Sequence, residues 1–143
     1  LRKPDIRAAI LAEDDVEGSG LLIEGLGGLT AGMLDQVFVL GDPPDYEPTP
    51  DRSIVGLAER NGVTPHETAY DAFCAEDGRA LLMLPLYNYV EHNHDVIREQ
   101  LTHPTAVSGL ADGGAHCGFI CDASVPTTMI SHWMCGCSDH WPL

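Results

Sequence analysis

The spacing of apolar side chains changes several times along the chain, and each change marks an element. Ile6, Ala9, Ile10 and Leu11 fall at helical spacing, and Pro4 suits a first turn, so Asp5 to Asp14 reads as a helix. Gly18-Ser19-Gly20 breaks it. The stretch 21–34 is apolar but interrupted by Gly25, Gly27, Gly28 and Gly32, which leaves helix and strand both open there. Gln36 to Leu40 reads as a short strand, and the four prolines of 41–50 predict a loop. Asp51 to Asn61 is expected to be a helix with Ile54, Val55, Leu57 and Ala58 inward and Gly62 at its C-terminal cap. Thr64-Pro65-His66-Glu67 combines a capping Thr, a proline at the first helical position and a glutamate at the third, so a further helix is expected from here to about Ala75. Gly78-Arg79 reads as a turn.

Beyond the turn the pattern becomes strongly apolar. Ala80 to Tyr87 is a near-continuous run, which is how a strand covered on both faces reads, as in a parallel sheet. Asn93 to Leu101 predicts a helix, Ala106 to Leu110 a second short buried strand, Gly113-Gly114 a tight loop and Thr127 to Met134 a last helix. Strand, helix, strand and helix in alternation predict an α/β fold with a parallel sheet. The expected organisation is one domain portion: 1–77 a mainly helical insert or connecting region, 78–143 two β/α units. In barrels of this kind the chemistry sits on loops at the C-terminal ends of strands. Asp112 follows the Val107–Leu110 run directly, where a catalytic carboxylate is expected.

Composition narrows the partners. Hydrophobic residues make up 44% and charged residues 20%, a globular balance that calls for an apolar core. Seven basic residues against 22 acidic ones give a net charge of -15. Phosphate binding needs clustered Lys and Arg, so neither a nucleic acid nor an anionic membrane surface is an expected partner. No apolar run approaches the ~20 residues that span a bilayer, and Leu1-Arg2-Lys3-Pro4-Asp5 lacks the apolar stretch of a signal peptide. The chain opens on Leu1 rather than Met, which suggests a fragment or a processed product. Five cysteines are an odd number without the spread of a disulfide framework, so a reducing, cytoplasmic setting is expected.

The run Gly109-Leu110-Ala111-Asp112-Gly113-Gly114-Ala115-His116 continues as Cys117-Gly118-Phe119-Ile120-Cys121-Asp122-Ala123-Ser124 and ends Val125-Pro126-Thr127-Thr128-Met129-Ile130-Ser131-His132-Trp133. It resembles the last barrel strand, its loop and the following helix in the N-acyl-D-amino-acid deacylase branch of the amidohydrolase superfamily. Asp45-Tyr46-Glu47-Pro48, Gly78-Arg79-Ala80-Leu81-Leu82 and Pro85-Leu86-Tyr87-Asn88-Tyr89 resemble the same branch, in the same order. The resemblance implies a (β/α)8 barrel, of which this chain is the C-terminal part, with one or two divalent metals, usually zinc. It implies hydrolysis of a small-molecule amide by metal-activated water. Asp112 matches the aspartate of the last strand, which binds or approaches the metal, takes a proton from the water and passes it to the leaving nitrogen. His116, four residues on, is a candidate substrate-facing residue. A metal lowers the pKa of bound water to about 7, so a neighbouring carboxylate can serve as base and then acid.

Two features depart from that pattern. The family's His-x-His pair belongs at the end of the first strand, and this chain holds no such pair upstream. His92-Asn93-His94 imitates it but follows a late strand, so it reads as a polar loop in which Asn93 or His94 caps the next helix. Met134-Cys135-Gly136-Cys137-Ser138-Asp139-His140 stands where the family tends to be arginine-rich. Cys117, Cys121, Cys135, Cys137 and His140 suggest an alternative, a small structural zinc module, although their spacings differ from those of familiar zinc ligands. A non-catalytic interaction fragment is a third reading. Strand edges that a full barrel would pair are expected to be covered by the missing barrel half or by self-association.

Overall fold

The computed structural model describes residues 3–13, 32–109 and 123–135. They belong to two compact units, Leu1–Arg98 and Glu99–Leu143.

In the first unit the core collects around the short strand β1, Phe38–Leu40. Val37 and Phe38 are buried, as are Ile54, Ala58 and Tyr89. Full burial of an Ile or Phe side chain contributes roughly 1.5–3 kcal/mol, so these few residues carry most of the apolar stabilisation. The helix α2, Ile54–Asn61, presents Ile54 and Ala58 to this core. Its start is fixed locally: the buried Ser53 Oγ accepts from Gly56 N at 3.1 Å. Ile54 N then donates to Val37 O at 2.8 Å, which ties the helix entry to the strand. Gly62 ends the helix with φ +68, a left-handed conformation that favours glycine.

The next helix, α3, Pro65–Cys74, opens on a capping box. Thr64 Oγ1 accepts from Glu67 N at 3.2 Å, and Glu67 Oε2 accepts from Thr64 N at 3.0 Å. The same Oε2 also accepts from the Thr64 hydroxyl at 2.9 Å, and these bonds from the Thr64 N–H and hydroxyl, followed by Arg7, hold the Glu67 carboxyl below its ordinary value of 4.5. The first helix, α1, Pro4–Leu11, has no buried residue. Its expected apolar face, including Ile6 and Ile10, is exposed. What links α1 to α3 is Arg7, which donates from Nε and Nη2 to the two Asp71 carboxylate oxygens, both at 3.0 Å, and lies over the Tyr70 ring.

The second strand, β2, Leu81–Met83, pairs antiparallel with β1 in the register Phe38↔Met83, Val39↔Leu82, Leu40↔Leu81. This corrects two expectations. The strand covers three residues of the Ala80–Tyr87 run, with Leu81 well exposed, so it is not covered on both faces. The sheet it forms is a two-stranded antiparallel one, and its partner lies earlier in the chain rather than at 106–110. The packed pair α2 and α3 returns the chain toward β1 from the opposite direction, and that direction sets antiparallel pairing.

The helix α4, Asp95–Thr102, matches the predicted one, and its sequence crosses the division between the units. In the second unit the expected strand at Ala106 to Leu110 is not formed: 106–109 belong to no strand, and Val107 is 93% exposed. An extended run gains little from β geometry without a neighbouring strand to receive its backbone groups. Leu110 itself lies outside the described residues. The last expected helix is present as α5, Val125–Thr128, continued by a wider π turn, Met129–Met134.

Two changes test these local devices. A Cβ on Gly56 would stand 2.7 Å from the Asp51 backbone, so Gly56→Ala is expected to lower stability by about 1–3 kcal/mol in denaturant titration, the usual cost of overpacking. Because the Glu67 carboxyl is lowered, its stabilising link is fully present above 4.5 and lost as pH falls through the lowered value. Thermal melts of the parent sequence and Glu67→Gln are therefore expected to differ near neutral pH and to converge in acid.

Candidate functional site

One polar group of the first unit is built where two loops meet. The proline-rich loop 41–50 leaves β1, and the loop 84–94 leaves β2. Since β1 and β2 pair antiparallel, the C-terminal end of each lies opposite the N-terminal end of the other, and the loops must bend back to meet. Tyr89 joins them. Its ring packs edge-on against Phe38, with centroids 6.3 Å apart, and its hydroxyl donates to Pro48 O at 3.0 Å. His92 and His94 stand edge-on to the same ring, at centroid distances of 5.9 and 5.2 Å.

Glu47 adds a second tie. Its Oε1 accepts from the backbone N of His94 at 2.9 Å and lies 3.5 Å from His94 Nδ1. A carboxylate on a backbone N–H beside a helix start is favoured by the positive end of the helix dipole. Asn93 supplies the cap: its Oδ1 accepts from Asp95 N at 3.0 Å, while His94 O takes the first helical bond from Arg98 N at 2.9 Å. Asp45 accepts from Glu47 N at 3.0 Å and pairs with Arg52, which shapes the turn leading to Glu47. Asn88 and His92 both have positive φ, 59 and 55, in the region that Asn and His tolerate better than most residues.

The electrostatics make Tyr89 an anchor rather than a reactive group. Burial first, then the nearby charges of Glu47 and Asp45, push its hydroxyl up to about 12. At neutral pH it holds its proton and donates it to Pro48. The Nδ1 atom of His92 is buried without a hydrogen-bond partner among the described residues.

The sequence-predicted site residues fare differently. Asp112 and His116 lie outside the described residues, as do Cys117, Cys121, Cys137 and His140. His92-Asn93-His94 occupies a loop and a helix start, and Asn93 caps α4 as expected. Nothing in the sequence singles out Glu47 or Tyr89 individually. Their signal was indirect, since each sits inside a segment that carries the resemblance, and the structure joins those two segments through Tyr89 and Pro48.

A structural zinc takes four ligands, and a catalytic one three from the protein. Within either unit by itself, no three His, Cys, Asp or Glu side chains among the described residues come within ligating distance of one another. Among the described residues of the first unit, Glu47 and His94 come together in this way, two side chains where a zinc site takes three or four. The second unit holds a shallow depression, lined by Glu99, Gln100, His103 and Ala106, that is too open for an enclosed ligand site. No helix among the described residues is long and apolar enough to cross a membrane. Comparisons with family models, curated proteins and solved structures return no match.

Tyr89→Phe separates the hydroxyl from the ring. Loss of the bond to the buried Pro48 carbonyl is expected to cost about 1–3 kcal/mol, the range for orphaning a buried acceptor. The raised hydroxyl stabilises the fold below the ordinary value of 10.0, and that contribution is lost as pH rises through about 12. Spectrophotometric titration of phenolate is expected to lose its most alkaline transition in Tyr89→Phe. An unchanged titration curve would mean that this hydroxyl is not the buried one.

Proposed function

We propose that this chain is the C-terminal part of a metal-dependent amidohydrolase barrel, and that the complete enzyme cleaves the amide bond of N-acyl amino acids or related small amides. The observation that carries the reading is the unbroken run from Gly109 to Trp133, which resembles a final barrel strand, its loop and the next helix in order. The helical stretch Val125–Met134 is consistent with the last of those three pieces. Further support comes from Asp45–Pro48 and Pro85–Tyr89, two separate segments with the same likeness that belong to one packed unit.

In this reading Asp112 performs the proton transfers. Its carboxylate accepts a proton from the water that attacks the amide carbonyl, then returns it to the nitrogen as the C–N bond breaks, leaving a carboxylic acid and an amine. The metal, when bound, supplies the lowered pKa of that water. In this reading the His-x-His pair and the mid-barrel ligands that the likeness implies are supplied by other parts of a longer polypeptide. The activity therefore belongs to a longer polypeptide. His116 is a candidate for contact with the substrate.

The same reading accounts for the apolar runs. Ala80–Tyr87 and Ala106–Leu110 are apolar enough for strands paired on both sides, and those neighbours come from the remainder of the barrel or, in its absence, from a second copy. Cytoplasmic residence belongs to this reading as well, and Cys74 and Cys135 are both thiols rather than disulfides.

The test is made on the longer parent protein with bound zinc. Asp112→Asn is expected to lower kcat on an N-acyl amino acid by about 10²–10⁴-fold, the usual contribution of a general acid–base group. Activity within a few-fold of the parent would contradict the assignment. The 143-residue chain alone is expected to show no hydrolysis above background, and steady turnover by it would mean that the ligands proposed to lie elsewhere are not needed.

A further inference from the structure

We draw no further inference here: the strongest candidate, the apolar patch that Leu86, Tyr87 and Val90 leave exposed on the loop after β2, is an unpartnered face, and nothing in the structure shows what covers it.

Discussion

A phenol can be taken out of water at little cost only if its hydroxyl keeps an acceptor. Tyr89 meets that condition through the Pro48 carbonyl, and most of the first unit is arranged around the bond. The ring packs against Phe38, which is buried in the core together with Val37 and Ile54. The hydroxyl fixes the proline-rich loop at Pro48, and with it Glu47, whose carboxylate receives the backbone N–H of His94. The start of α4 is thereby set from a distance of more than forty residues along the chain. Beside that bond, Glu47 also ties the two loops, through an exposed group whose interactions water can replace.

That dependence explains why local features could be read from the sequence and the site could not. The Ser53 cap places the start of α2 at Ile54 rather than at the expected Asp51. Thr64, Glu67 and Asn93, by contrast, cap helices through bonds spanning two or three residues, so the chemistry needed to recognise them is contiguous. Gly62 is legible for the same reason, since it lies one residue past an amphipathic stretch. The pairing of β1 with β2 is different. Both runs are apolar, and nothing in either specifies which neighbour it takes or in which direction. The expectation of a parallel sheet followed from alternating elements, whereas the observed direction follows from how α2 and α3 pack. Tyr89 and Glu47 lie between these cases. Their side chains are unremarkable in sequence, and their roles appear only when two distant loops are brought together.

The exposed apolar residues follow from the same incompleteness of cover. Leu81, Tyr87 and Val90 stand exposed in the first unit, and Val107 in the second. In the proposed reading, further strands of a longer polypeptide would cover them. The net charge of -15 opposes close association of identical copies at low ionic strength.

The proposed chemistry turns on one carboxylate and its distance from a metal. The most direct measurement is anomalous diffraction at the zinc edge from crystals of the zinc-loaded parent protein. The expected result is an Asp112 carboxylate oxygen about 2.0–2.2 Å from zinc, or one bound water away from it, with the other ligands contributed from outside these 143 residues. Zinc held by the sulfurs of Cys117, Cys121, Cys135 or Cys137, or an Asp112 side chain remote from any metal, would contradict it.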